Sequence, residues 1–148
     1  TKASKMPGLD GQKMSKSYNN TISLREKPED VVKKLKAMPT DPARVRRTDV
    51  GNPKNCPVWQ LHEIYSDEAR KQWVTEGCTT AGIGCIDCKN AVAEGIEVVL
   101  APMRARAEAL DAEPEKIDRI LREGAERARA LADQTMSRVR SVMGLTGA

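Results

Sequence analysis

Residues 6 to 20 read Met6-Pro7-Gly8-Leu9-Asp10-Gly11-Gln12-Lys13-Met14-Ser15-Lys16-Ser17-Tyr18-Asn19-Asn20. Gly8 and Gly11 in front and the Asn19-Asn20 pair behind tolerate tight or left-handed backbone, so a mobile surface loop is expected here, outside any core. Lys13 and Lys16 stand three apart, interleaved with the hydroxyls of Ser15 and Ser17, and no acid follows closely after Asp10. Point charges, rotatable donors and free backbone N–H groups in one loop make an anion grip suited to a flexible polyphosphate. On composition alone, a solvated basic loop is an equally good reading.

Working outward, the 148 residues carry 39% hydrophobic and 31% charged side chains, the balance of a soluble globular protein of one ordinary domain. Phe is absent, and Trp59, Trp73, Tyr18 and Tyr65 are the only aromatics. The core must then be aliphatic and Ala-rich, which favours a mainly α chain of packed helices. The longest apolar run, residues 98 to 103, is far too short to span a bilayer, and no charged-then-apolar leader opens the chain. A cytoplasmic location is expected. A net charge of +4 argues against indiscriminate nucleic-acid binding but allows a local basic surface. The chain opens at Thr1 with its first motif almost at once, which reads as a piece of something longer.

The spacing predicts a short helix from Pro28, with Glu29 and Asp30 near its positive end and Lys33, Lys34 and Lys36 toward the other, ended by Met38-Pro39. Residues 39 to 57 hold Pro39, Pro42, Pro53, Pro57 and Gly51 and read as an irregular crossing. Arg44, Arg46 and Arg47 within it read first as a solvated charge run, with an RNA backbone contact as the sharper alternative. Helical pattern resumes at Val58, with Ser66 as the expected N-cap of the next helix and Gly77 as its stop. A helix over 91 to 110 follows, which Pro102 should kink or divide. The last helix runs from Pro114 toward Met143-Gly144, with an apolar stripe through Ile117, Ile120, Leu121, Ala128, Leu131, Thr135, Val139 and Val142. Arg119, Arg122, Arg129 and Arg140 fall roughly opposite, mixed with Glu126 and Asp133, as on an ordinary solvated face.

Cys56, Cys78, Cys85 and Cys88 are all the cysteines there are. Disulfides are disfavoured in a cytosolic chain, so four thiols around a Gly-rich connection between helices suggest a metal. Zinc prefers two short C-x-x-C pairs, and only Cys85 and Cys88 form one. A cubane iron–sulfur cluster takes four thiolates, one short pair and more distant partners being acceptable. Four unconnected buried thiols remain the third reading.

Lys13 to Ser17 spells KMSKS, the signature loop of class I aminoacyl-tRNA synthetases, and its surroundings from Lys5-Met6-Pro7-Gly8-Leu9-Asp10-Gly11 to Tyr18-Asn19-Asn20 resemble the tryptophanyl-tRNA synthetase version found in bacteria. Thr40-Asp41-Pro42, residues 49 to 53, Gly82-Ile83-Gly84-Cys85 with Cys88-Lys89, and Gly124-Ala125 resemble the same family, so the likeness covers nearly the whole chain. The resemblance implies a parent protein of α/β, Rossmann type. This chain would be its C-terminal half: residues 1–27 ending the catalytic domain, 28–57 a linker helix and crossing, and 58–148 a helical, anticodon-binding domain. No HIGH string is present and His62 is the only histidine, so half of the family's active site is missing here.

By that resemblance the reaction joins tryptophan to ATP with Mg²⁺ and passes the aminoacyl group to tRNA(Trp) in a homodimer. Lys13 and Lys16 would act on the departing pyrophosphate, Ser15 and Ser17 would bond phosphate oxygens, and Met14 would pack near the adenosine. Lys89 is the candidate tRNA contact. Some members carry a [4Fe–4S] cluster on cysteines spaced much like these, which selects that cluster, with Zn²⁺ as the alternative. A tyrosyl-type synthetase is the nearest confusable relative, and a stand-alone metal-stabilised RNA-binding module is the reading from another class.

Overall fold

The computed structural model describes residues 5–145. Five α-helices follow one another: α1 Pro28–Ala37, α2 Pro57–Tyr65, α3 Glu68–Thr79, α4 Cys85–Asp111 and α5 Pro114–Val142, with 3-10 turns at Lys16–Tyr18 and Pro53–Asn55. Among the described residues no strand forms, and extended pairing is limited to a bridge between Pro7 and Lys13. The mainly α expectation holds.

Local chemistry sets most of the boundaries. Pro28, Pro57 and Pro114 each occupy the first turn of a helix, where the missing N–H is no loss. α1 stops because Met38 precedes Pro39 and is driven to extended backbone (φ −58°, ψ 142°). Asp67 caps α3 by accepting from the Arg70 N–H at 2.8 Å. Ser66, expected in that role, instead closes α2, and its backbone N–H donates to the His62 carbonyl at 3.0 Å. Gly77 does not stop α3, which continues to Thr79; Gly77 is buried there, and a Cβ on it would meet the Ile83 side chain at 2.7 Å. α4 begins six residues before the expected helix, at Cys85, where the Asp87 carboxylate accepts the Gly84 N–H at 2.9 Å. Pro102 sits inside α4 without dividing it.

The described residues form two compact units that part between Arg104 and Ala105. In the first, Val31, Leu35 and Met38 pack with Val58 and Leu61 of α2 and with Val92, Ala93, Ile96 and Leu100 of α4. Each fully buried Val or Leu contributes about 1.5–3 kcal/mol relative to exposure. Leu9 and Ile22 from the lysine loop and Cys56 and Cys88 pack against this same cluster. One aliphatic core therefore backs the loop, α1 and the cysteines together. Close approach of α2 and α4 requires Gly95, whose hypothetical Cβ would lie 2.3 Å from the Tyr65 carbonyl oxygen.

The second unit holds the end of α4 and α5. The apolar stripe is present in α5, but none of its residues is buried, and Ile120, Leu121, Leu131, Val139 and Val142 are exposed.

Candidate functional site

The lysine loop is built around Asn20, only 3% exposed. Its side-chain oxygen accepts the Ser15 N–H at 2.7 Å, and its amide nitrogen donates to the Asp10 carboxylate at 2.8 Å and to the Lys13 carbonyl at 3.1 Å. The Asn20 carbonyl takes the Leu9 N–H at 2.9 Å, and Met14 donates to the Met6 carbonyl at 2.9 Å. Gly8 is obligatory here, since a Cβ would stand 2.4 Å from the Asn20 amide nitrogen. Asn19 (φ 51°) and Gly11 (φ 81°) turn the chain through the left-handed region. The Asp10 carboxyl is held below its ordinary value, first by the Asn20 amide and then by the Gln12 N–H.

This frame corrects one expectation about the loop. The N–H groups of Met14, Ser15, Tyr18 and Asn19 are engaged internally, so the grip on an anion falls mainly to side chains. Those are well placed. Lys13, Lys16 and Ser17 are exposed, and neither lysine ammonium has an ion pair or hydrogen bond among the described residues. Lys13 lines a cleft of about 690 Å³ with Lys5, Lys71, Gln12, Gln60 and Trp59. Lys16 lies outside that lining.

The four cysteines converge. Cys56 precedes α2, Cys78 lies in the last turn of α3, Cys85 and Cys88 open α4, and all four line one cavity of about 20 Å³ with Val58, Ile83 and Arg44. Burial, reinforced by the other three thiols, pushes Cys88 up to about 12, and burial also raises Cys78. Among the described residues no three His, Cys, Asp or Glu side chains close on a point as a single metal ion requires. Four thiols line one small, mainly apolar hollow, a soft donor set of the kind an iron–sulfur cluster or zinc takes; Asp41 lines it too, but both its oxygens already accept main-chain N–H groups.

Two groups that the sequence did not single out touch these thiols. His62 is fully buried; its Nδ1 lies 2.7 Å from the Ser66 hydroxyl, and its Nε2 lies 3.2 Å from the Cys88 carbonyl and 3.4 Å from the Cys88 Sγ. A carbonyl oxygen only accepts, so Nε2 carries the hydrogen and Nδ1 accepts from Ser66. Burial keeps the ring neutral by lowering it to about 4. Arg44 reaches the cavity from the crossing segment, its Nη1 being 3.9 Å from the Cys78 Sγ and its Nη2 2.6 Å from the Ile83 carbonyl. Arg47 donates to the Ala81 and Gly82 carbonyls at 2.5 and 3.1 Å. Arg46 and Arg47 are exposed, as a solvated run would be, but Arg44 is buried, and Arg44 and Arg47 both tie the crossing to the loop before α4.

Lys89, the candidate tRNA contact, lies inside the first unit. It is 5% exposed, and its Nζ donates to the Lys36 and Met38 carbonyls at 2.9 and 2.6 Å. A base-reading side chain must be reachable, and this one instead satisfies the carbonyls at the end of α1.

The sequence pattern of the family described as class I tRNA synthetases (W and Y) matches residues 2–101. The chain belongs to that family. It is 53% identical over 146 residues to the tryptophan–tRNA ligase of Ralstonia nicotianae, an alignment covering 99% of this chain and 36% of that protein. It is 46% identical over 142 residues to the tryptophan–tRNA ligase of Thermotoga maritima, covering 95% and 43%. Its fold matches the crystal structure of tryptophanyl-tRNA synthetase from Campylobacter jejuni complexed with ADP and tryptophan at a TM-score of 0.85 and 26% identity, covering 95% of this chain and 44% of that one. The chain thus spans between about a third and a little under half of the length of these relatives. No helix among the described residues is long and apolar enough to cross a membrane.

Proposed function

We propose that this chain is the C-terminal part of a tryptophan–tRNA ligase. In this reading it supplies the phosphate loop and the helical, anticodon-facing region, and the nucleotide-binding, Rossmann-type half lies elsewhere in the protein. The observation that carries the reading is the KMSKS loop itself, framed by Asn20 so that the Lys13 and Lys16 ammonium groups stand exposed and, among the described residues, unpaired. The relatives of highest similarity described above are tryptophan–tRNA ligases, which selects the tryptophan branch over the tyrosine one.

In the reaction the tryptophan carboxylate attacks the α-phosphorus of ATP and the bond to pyrophosphate breaks. Negative charge grows on the departing oxygen, so cations that meet it only as the loop closes stabilise the transition state more than they stabilise bound ATP. Lys13 and Lys16 have that role, Ser15 and Ser17 donate to phosphate oxygens, and Met14 packs near the adenosine. Mg²⁺ would accompany the nucleotide and neutralise part of its charge. Cys56, Cys78, Cys85 and Cys88 would hold a [4Fe–4S] cluster, whose contribution when bound is to brace three connections that this aliphatic core leaves to short contacts. What supports the reading is that all four thiols line one hollow, with Zn²⁺ as the alternative occupant. tRNA(Trp) is the nucleic-acid partner, and a homodimer through the catalytic half is part of the same reading.

The test is exchange of labelled pyrophosphate into ATP by the full-length protein. Dependence on tryptophan, with no response to tyrosine, is expected, followed by charging of tRNA(Trp). Exchange driven by tyrosine would reassign the chain within its family, and absence of any amino-acid-dependent exchange would leave a metal-braced RNA-binding module.

A further inference from the structure

Arg44 is 8% exposed although it lies in an irregular crossing, where an arginine ordinarily keeps its head in water. Its Nη2 donates to the carbonyls of Ile83 and Arg47 at 2.6 and 3.2 Å, its Nη1 faces the Cys78 Sγ at 3.9 Å, and its buried Nε has no partner. No carboxylate among the described residues pairs with it. Asp41 lines the same cavity, but its two oxygens accept the Ala43 and Asn52 N–H groups at 3.1 and 2.7 Å. Carbonyl dipoles alone are poor compensation for a buried guanidinium, whose desolvation is repaid only by a well-placed anion.

The cavity that Arg44 lines contains four thiols and no other free anion-forming group. On a second side of it, the His62 Nε2–H is directed between the carbonyl and the Sγ of Cys88. Beyond the carbonyls they already meet, a positive charge at Cys78 and an N–H donor at Cys88 gain little from four neutral thiols. Coordinated cysteine is thiolate, and four thiolates leave either a zinc site or a [4Fe–4S] cluster with net negative charge.

We propose that Arg44 and His62 are positioning residues for the metal group of the four-cysteine site: Arg44 is its counter-charge and His62 its hydrogen-bond donor, gripping one sulfur on α3 and one on α4. This rests on the reading of Cys56, Cys78, Cys85 and Cys88 as metal ligands. Arg44 then carries two functions at once, since the fork that meets Cys78 also fixes the Ile83 carbonyl just before α4. Outer partners of this kind orient ligands and set how firmly a metal is held.

The distinguishing experiment uses the full-length protein, reconstituted anaerobically with ferrous iron and sulfide, compared with the same protein stripped by a chelator. Iron content, unfolding temperature of both forms and midpoint potential are measured for the wild type, Arg44→Met, Arg44→Lys, His62→Phe and His62→Gln. Arg44→Met should release iron to chelator about 10- to 100-fold faster than wild type. It should lower the unfolding temperature of the loaded form more than that of the stripped form, which loses only the bonds to the Ile83 and Arg47 carbonyls. It should also make the midpoint potential more negative, because the reduced cluster carries one more negative charge, and Arg44→Lys should recover most of that shift. His62→Phe should weaken retention, and His62→Gln, which keeps a donor, should weaken it less. Equal destabilisation of both forms with an unchanged potential would reduce Arg44 to a loop tie and overturn the proposal. A wild type that binds neither iron nor zinc on its cysteines would overturn instead the ligand reading beneath it.

Discussion

The ammonium of Lys89, at the start of α4, lies 2.6 Å from the main-chain oxygen of Met38, the residue that ends α1. With the second bond to Lys36, this ties two helices that are more than fifty residues apart in sequence. Lys89→Met keeps the volume but leaves both carbonyls without their donor. The expected loss is about 1–3 kcal/mol of stability, read by urea unfolding. Affinity for tRNA, corrected for the folded fraction, should stay within error. A large affinity loss in fully folded protein would restore Lys89 as an RNA contact.

Asn20 should matter to the loop more than any of its charged residues matter to stability. Asn20→Ala removes three side-chain hydrogen bonds at once and leaves the Ser15 N–H, the Lys13 carbonyl and the Asp10 carboxylate without the amide they share. The Asp10 carboxyl should then titrate upward toward its ordinary value of 3.8, observable by NMR. The sign follows from its depressed value in the folded loop. The stabilisation it supplies is present above that ordinary value and fades as pH falls through the lower folded one. An Asp10 that titrates identically in both proteins would remove Asn20 as the loop's organiser.

Lys16→Ala should act on rate. Removing one preorganised donor to developing charge typically costs about 2.7–4 kcal/mol, a factor of roughly 10² to 10³. That factor is expected in tryptophanyl-adenylate formation during the first turnover, with a much smaller change in ATP affinity. A normal rate, or a loss confined to ATP binding, would show that the loop is not a transition-state clamp.

Two glycines test the packing that holds the sites. Gly95→Ala sets a methyl carbon against the Tyr65 carbonyl and should cost about 1–3 kcal/mol by forcing α2 and α4 apart. At Gly51 an added Cβ would stand 2.7 Å from the Cys78 Sγ, so Gly51→Ala should lower iron content with less effect on unfolding of the stripped protein. Iron at wild-type occupancy in Gly51→Ala would mean that Cys78 tolerates displacement a ligand should not.

The parts of this molecule legible in the sequence are those whose signal is local. Pro28 and Pro114 announce helix starts, Met38-Pro39 announces an end, and the KMSKS string and the four cysteines announce chemistry by residue type and spacing. Ser66 misled because Asp67, one residue on, is the stronger cap and the serine hydroxyl is held by His62. Arg44, Asn20 and Lys89 could not be read because burial of a polar side chain is decided by its partner. For Arg44 that partner is Ile83 and for Lys89 it is Met38, both remote in sequence. Among these, only a Cys-rich neighbourhood facing an arginine in a Pro-rich crossing offered a hint. The stripe of α5 shows the converse, a correct period that says nothing of what, if anything, lies against it.

α4 carries Cys85 and Cys88 in its first turn and, on the same uninterrupted rod, Arg104, which donates to the Glu26 carbonyl at 3.0 Å. At 1.5 Å per residue the two ends are about 28 Å apart, and each residue added or removed between them rotates one end by about 100° relative to the other. The helix is thus a gauge block: it sets the distance from the thiols to the strap that follows the lysine loop, and both attachments are keyed to its phase. Length polymorphism in this protein should be tolerated after Arg104, and a single-residue deletion near Val98, though on an exposed face, should disengage one end or the other.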